Sequence, residues 1–316
     1  MPCSDDWLRA TINLPPTLAR RYYTSIPAPE VVESMLDKWK FAQLLRRTGT
    51  PHPETILLQS PDDVHKLPEH YFGNRIFKPE SSIEFAAKHG VKGYLVHSRV
   101  EAFAVANNID YPIMLQEYIP GPPTDSYFID GFVDRTARVC ARFARRRIRM
   151  YPPDLGNSCL TVSIPVAQVH DAIVNLDRLL EQAHYRGIFS AEFKNDSRDG
   201  LFKLLEVNAR PWWYIEFAAR CGVNVCSMAY ADALGCLVEG VEAYTVGRSC
   251  TFLPYDIHAY RELRGKNDLH LLAWIHSWAR ADDALFSLRD VGPGLSYTRG
   301  VGRIALRRAR QWHKAA

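Results

Sequence analysis

The stretch Leu204-Leu205-Glu206-Val207-Asn208-Ala209-Arg210-Pro211 sets a carboxylate, an amide and a guanidinium at alternate positions directly after an apolar run. Strand side chains alternate between faces, so Glu206, Asn208 and Arg210 project to one side. A carboxylate embedded in Phe202-Lys203-Leu204-Leu205-Glu206-Val207 is costly to bury unless a cation compensates it. A hard divalent cation with oxygen ligands does so, and the pattern reads as a Mg²⁺ site.

Working upstream, a second carboxylate lies in Ile188-Phe189-Ser190-Ala191-Glu192-Phe193-Lys194, and the polar Asn195-Asp196-Ser197-Arg198-Asp199-Gly200 between the two runs reads as a hairpin turn. Two strands and a tight connection bring Glu192 next to Glu206. Register decides whether they converge. Pairing Glu192 with Leu204 puts all three oxygen ligands on one face, whereas a one-residue slip sends Glu192 to the other. Taken alone, Glu-x-Asn-x-Arg describes an ordinary half-exposed strand equally well, so the rest of the chain has to decide.

With 316 residues the chain is long enough for two or three packed lobes. Its 47% hydrophobic and 23% charged residues are those of an ordinary globular protein, and a net charge of +4 is too small to indicate a nucleic-acid partner. Seven scattered cysteines without a Cys-x-x-Cys pair argue against a zinc knuckle and a disulfide framework, which points to a reducing compartment. Met1-Pro2-Cys3-Ser4-Asp5-Asp6 has no basic region before an apolar core, and no apolar run approaches the roughly 18 residues of a membrane helix. A cytoplasmic protein is expected. The basic segment 303–314 reads as an amphipathic helix packing Ile304, Leu306 and Trp312 on the body.

Residues 37–48 predict an amphipathic helix capped by Asp37 and stopped by Gly49 and Pro51. Thr55-Ile56-Leu57-Leu58 reads as a buried strand, followed by a helix capped at Ser60 or Asp62. Arg75-Ile76-Phe77-Lys78-Pro79 reads as a strand delivering Lys78 into a polar loop at Glu80-Ser81-Ser82, an arrangement suited to phosphate contact. Ile113-Met114-Leu115-Gln116-Glu117-Tyr118-Ile119 is another strand, broken at Pro120-Gly121 just after its glutamate. The following sheet carries Arg145, Arg147 and Arg149 on one face, either to hold polyphosphate or, for the first two, as a solvated edge. Arg149 is the better phosphate candidate because it enters the loop beginning at Tyr151. Residues 168–185 form a helix with a purely structural apolar face.

A lysine after a strand, a glutamate before a Pro-Gly break, then a glutamate and Glu-x-Asn-x-Arg across a hairpin form an ordered set that resembles the ATP-grasp superfamily, and in particular its carboxylate-amine ligase branch, which includes D-aspartate ligase-like and carbamoyl-phosphate-synthase-like enzymes. The similarity runs from about residue 37 to 235. It implies an α+β fold in which two lobes hold ATP between antiparallel sheets. The division expected is a remnant of a preceding α/β domain over 1–36, an N-terminal lobe over 37–112, a C-terminal lobe over 113–240 and a mainly helical extension over 241–316. By resemblance, Lys38 and Lys78 contact the ATP phosphates, Glu117 and the backbones of Tyr118 and Ile119 hold the adenine, and Asp125 binds the ribose. Glu192, Glu206 and Asn208 bind Mg²⁺ or Mn²⁺, while Arg210 and Arg149 act in catalysis.

The implied activity is ADP-forming ligation of a small carboxylic acid, plausibly an amino acid, to an amine through an acyl phosphate. The alternatives are a kinase or carboxylase built on the same nucleotide site, or a nucleotide-binding subunit without turnover. Two departures stand out. The phosphate-covering loop is Pro79-Glu80-Ser81-Ser82-Ile83-Glu84-Phe85 rather than a glycine-rich run, and only about 36 residues precede the grasp region. Met1 to Trp7 resembles the last strand and loop of the α/β domain that precedes the grasp region in the family, and either the start of the sequence was placed too late or the chain is natively short and a homodimer or a partner subunit supplies the substrate contacts. Trp212, Trp213, Tyr214 and Glu216 are expected either to border the acceptor site or to enter the core.

Overall fold

Four helices precede the first strand: α1 (Asp5–Ile12), α2 (Pro16–Ala19), α3 (Pro29–Leu36) and α4 (Lys38–Thr48). The strand expected within Met1 to Trp7 is therefore a helix. Ser4 adopts extended backbone, its hydroxyl accepts from the Trp7 N–H, and Asp5 and Asp6 occupy the positive end of the first turn. Leu8 is fully buried and anchors α1 in the core that also holds Val31, Val32 and Met35 of α3. Helix α4 has its expected bounds: Asp37 accepts from the Trp39 and Lys40 N–H groups, and Gly49 closes the helix at φ 61°. Replacing Asp37 with alanine is expected to cost about 1 kcal/mol in the urea midpoint, the usual loss for a capping side chain.

The small lobe follows as β1 (Thr55–Leu58), α5 (Pro61–His65), β2 (Arg75–Lys78), α6 (Ser82–His89), β3 (Tyr94–Val96), α7 (Arg99–Ala106) and β4 (Ile113–Glu117). Its strands form one antiparallel sheet in the order β1-β4-β2-β3, so the lysine-bearing strand lies beside the glutamate-bearing one. Leu58, Val64, Phe77, Val96, Ile113 and Leu115 fill the core beneath it. The polar loop expected after Pro79 becomes helical from Ser82 onward.

The larger sheet is built from β5 (Ser126–Val133), β6 (Val139–Tyr151), β7 (Asn157–Ser163), β8 (Gly187–Asn195) and β9 (Phe202–Asn208), with α8 (His170–Gln182) inserted before β8 and α9 (Ile215–Arg220) and α10 (Val225–Ala233) after β9. Antiparallel pairing gives the order β6-β5-β8-β9. Alternation then divides the work of β8. Phe189, Ala191 and Phe193 enter the core against Leu176, Leu179 and Leu180 of α8, which leaves Ser190, Glu192 and Lys194 on the opposite face.

The chain continues through β10 (Ser249–Thr251), α11 (Leu253–Gly265), α12 (Leu271–Ala279) and β11 (Ala281–Asp283), with β10 and β11 parallel. This computed structural model describes residues 1–79, 82–153, 156–266, 268–287, 290–301 and 303. It divides into two units, Met1–Arg147 with Val162–Gly247, and Ile148–Thr161 with Arg248–Ala316. The segment expected to form a basic C-terminal helix falls, apart from Arg303, outside the described residues. Among the described residues no helix is long and apolar enough to cross a membrane, and all seven cysteines are free.

Asp196 organises the turn between β8 and β9. Its carboxylate accepts from the Arg198 backbone N–H and guanidinium and pairs with Lys203 at 2.6 Å, while its backbone closes the loop against Gly200 and Leu201. The Arg198 hydrogen bonds, followed by those of Lys203, hold the Asp196 carboxyl well below its ordinary value of 3.8. A depressed carboxyl stabilises the fold fully above its unfolded value and less as pH falls through and below it. Urea midpoints should therefore drop as pH is taken below about 4, with a shallower acid limb in Asp196→Asn.

Candidate active site

A single extra residue decides where the carboxylates of the β8–β9 hairpin point. Near the turn, Lys194 faces Lys203 and Phe193 faces Leu204, a register that would set Glu192 opposite Leu205 and leave Glu206 on the core face. A bulge between Glu192 and Phe193 shifts the pairing by one, so Glu192 faces Glu206, Ala191 faces Val207 and Ser190 faces Asn208. The core keeps Leu204 and Val207, three positions apart, and the opposite face receives Glu192, Glu206 and Asn208 together. The expected pairing of Glu192 with Leu204 is thus off by two residues, which preserves the face.

Two carboxylates directly across a strand pair repel each other unless a cation lies between or beside them. Arg147 supplies part of this through a 2.9 Å bond from Nη2 to Oε1 of Glu192. Glu206 is exposed, and its Oε1 accepts from Nδ2 of Asn208 at 3.0 Å. The Oδ1 of Asn208 in turn accepts from Nη2 of Arg210 at 2.9 Å. All the donor atoms that Glu192, Glu206 and Asn208 offer a metal are oxygens, which suits a hard divalent cation. Among the described residues no group of three His, Cys, Asp or Glu gathers for a metal; the set here is two carboxylates and an amide.

Within the first unit, a cleft of about 540 Å³ is bounded by Lys38 of α4, Lys78 of β2, and Glu206, Asn208 and Arg210 of the β9 end. That volume lies within the range of small-molecule sites. Lys78 is steered by Gln116, whose Oε1 accepts from Nζ at 3.0 Å while its amide donates to Thr55 Oγ1 at 2.9 Å. Lys38 is the first residue of α4, and its Nζ donates to the Pro79 carbonyl at 2.8 Å. The strand-end lysine and the helix-start lysine therefore reach the same cleft from positions 40 residues apart.

The remaining expected residues are placed elsewhere. Glu117 does not line this cleft: its carboxylate receives Arg198 Nη2 at 2.5 Å and the Glu54 N–H at 3.2 Å, with Lys203 at 3.7 Å. The Tyr118 N–H, expected at the adenine edge, donates to the Asn74 carbonyl, and Ile119 is buried. Asp125 ends a short 3₁₀ turn and is likewise absent from the cleft. Arg149 does not line the cleft either. Its guanidinium makes a two-point pair with Asp256 at 2.8 and 2.9 Å and donates to Ser277, because β6 continues into the second unit before it reaches Arg149.

Arg145 and Arg147 are buried, so the solvated edge does not exist. Arg145 pairs with fully buried Asp130 at 2.7 Å and lies 3.8 Å over the Phe128 ring. Trp212 and Tyr214 enter the core, whereas Trp213 is about half exposed and Glu216 pairs with Arg220.

Helix α1 was not foreseen as a contributor, yet Asp5, Asp6 and Arg9 all line the cleft. Asp5 holds Arg210 at 2.6 Å (Nε) and 3.0 Å (Nη2). The signal was present as Ser4-Asp5-Asp6, a capping residue followed by first-turn acids.

The two sheets and the helices packed on them are arranged as in solved structures. The chain has the ATP-grasp fold. A biotin carboxylase from Campylobacter jejuni, in complex with β,γ-ATP, superposes with a TM-score of 0.60 at 16% identity, covering 78% of this chain and 55% of that one. The biotin carboxylase domain of the Hydrogenobacter thermophilus 2-oxoglutarate carboxylase, in complex with MgADP, ADP and bicarbonate, gives 0.56 at 16% identity over 71% of this chain and 51% of that one. Among curated proteins, a D-aspartate ligase from Enterococcus faecium (strain Aus0004) is 22% identical over 213 residues, 63% of this chain. This chain spans 50% of that relative's length. No family model matches the sequence. Within the ATP-grasp fold, the bulged hairpin lies in the larger lobe and Lys78 in the smaller.

Proposed function

We propose that the chain binds MgATP in this cleft and is an ADP-forming carboxylate-amine ligase. The observation that carries the reading is the bulged register, which sets Glu192, Glu206 and Asn208 on one face, with Glu206 and Asn208 in the cleft that Lys38, Lys78 and Arg210 line. A carboxylate is a poor acyl donor to an amine, so transfer of the ATP γ-phosphoryl group to it, giving an acyl phosphate and ADP, creates the leaving group that the amine then displaces. Bound through Glu192, Glu206 and Asn208, Mg²⁺ would neutralise phosphate oxygens. Lys38 and Lys78 reach the nucleotide phosphates as point charges, and Arg210 offers a planar fork to a phosphoryl or carboxylate oxygen pair. Closure of the site around the substrates would keep water from the acyl phosphate. The D-aspartate ligase relative supports an amino acid as the acid substrate.

Isothermal titration of ATP with and without Mg²⁺ tests the nucleotide site, with Mg²⁺-dependent binding expected. ADP release is then measured with pairs of amino acids, D-aspartate among them, and with bicarbonate. The second reading is a carboxylase, favoured by the similarity to biotin carboxylase structures. Bicarbonate-dependent ADP release without amide product would replace the ligase reading with that one. No Mg²⁺-dependent ATP binding would remove both.

A further inference from the structure

Arg210 is not waiting in solvent. A carboxylate of the chain's own first helix holds it in the two-point geometry that an arginine offers an oxyanion ligand: Nε to Oδ1 at 2.6 Å and Nη2 to Oδ2 at 3.0 Å. Asp5 is about half exposed and pairs with no second cation among the described residues, whereas Arg210 is only 19% exposed and is fixed from behind by Asn208 Oδ1 and the Pro211 carbonyl. The arginine is thus the rigid member and Asp5 the replaceable one. Helix α1 stays docked by a separate anchor, fully buried Leu8, so Asp5 can leave the arginine without undocking the helix.

We propose that Asp5 is a built-in occupant of an oxyanion subsite at Arg210, and that ligand enters this subsite by exchange with Asp5. The ligand is a group offering two oxygens to the guanidinium, either the terminal phosphoryl of the nucleotide or the carboxylate of the acid substrate. The inference rests on the nucleotide reading for its ligand but not for the cover itself. Asp6 lines the same cleft with the same charge and makes no bond to Arg210, which makes it the control for charge alone.

The test compares wild type, Asp5→Asn and Asp6→Asn, each checked for an unchanged thermal midpoint. Phenylglyoxal labelling of Arg210, read by peptide mass spectrometry, should run faster in Asp5→Asn and at the wild-type rate in Asp6→Asn. MgATP and MgADP titrations follow. Relief of one partly exposed pair should tighten ligand binding about fivefold in Asp5→Asn. A gain for MgATP but not MgADP assigns the subsite to the terminal phosphoryl group. Protection of Arg210 in Asp5→Asn by acetate but not by inorganic phosphate assigns it to the carboxylate. Unchanged labelling overturns the proposal, and so does weaker MgATP binding by Asp5→Asn, which would make Asp5 a ligand-binding group instead. If no variant binds nucleotide, the proposed function fails while the labelling still decides whether Asp5 covers Arg210.

Discussion

Replacing Glu206 with glutamine is expected to reduce Mg²⁺-dependent ATP binding, and any ADP release, by about a hundredfold or more. Loss of a group that merely orients a metal ligand already costs about 10- to 100-fold, and a ligand itself should not cost less. The prediction is sharp because Glu206 is exposed and accepts a hydrogen bond from Asn208, so the substitution leaves the core untouched and the thermal midpoint should stay within a degree or so of wild type. Binding of ATP measured without Mg²⁺ should change little. If the variant binds MgATP as wild type does, the bulged hairpin is not a metal site and the ligase reading loses its main support. Glu192→Gln is the less clean companion, since it also removes the partner of Arg147.

The second large effect concerns stability. Asp256 is fully buried and receives both Arg149 nitrogens together with Trp274 Nε1 at 2.7 Å. Asp256→Ala leaves the Arg149 guanidinium buried without its counter-charge, a loss of about 3–5 kcal/mol that urea unfolding would register. Arg149→Ala should destabilise comparably, by orphaning the carboxylate. Any fall in activity in these variants should track the unfolded fraction and recover when osmolyte restores the fold. Loss of turnover in a fully folded Arg149→Ala would return that residue to the catalytic set.

The contrast between these residues shows where local sequence stops being informative. The placement of Lys78, Glu206, Asn208 and Arg210 around one cleft was legible because each lies at or just beyond the end of a strand. Lys38 was legible from the Asp37 cap. The ion pair of Arg149 was not legible because its partner lies 107 residues further along the chain, in a helix whose own pattern gives no hint of a buried acid. Glu117 was placed by its position before Pro-Gly, but the competing cations Arg198 and Lys203 come from a hairpin turn 81 and 86 residues away. Helix α1 was missed because seven residues at the start of the sequence were matched to a strand, while their capping pattern was passed over.

The register of β8 and β9 was the open question in the sequence, and the bulge resolves it in a way that strand alternation does not anticipate. A trace was nevertheless present: the apolar positions Leu204, Val207 and Ala209 are spaced three and then two apart, which a regular strand with one buried face cannot satisfy.

That extra residue is slack that the hairpin takes up without turning its carboxylates. Leu205 could be exchanged for many side chains without moving Glu206, because its task is to take up a place in the chain. Removing it would let the two strands pair regularly and leave Glu206 opposite Glu192, whereas removing Val207 would separate Glu206 and Asn208 onto opposite faces. The pair Glu206 and Asn208 should therefore survive loss of Leu205 far better than loss of Val207.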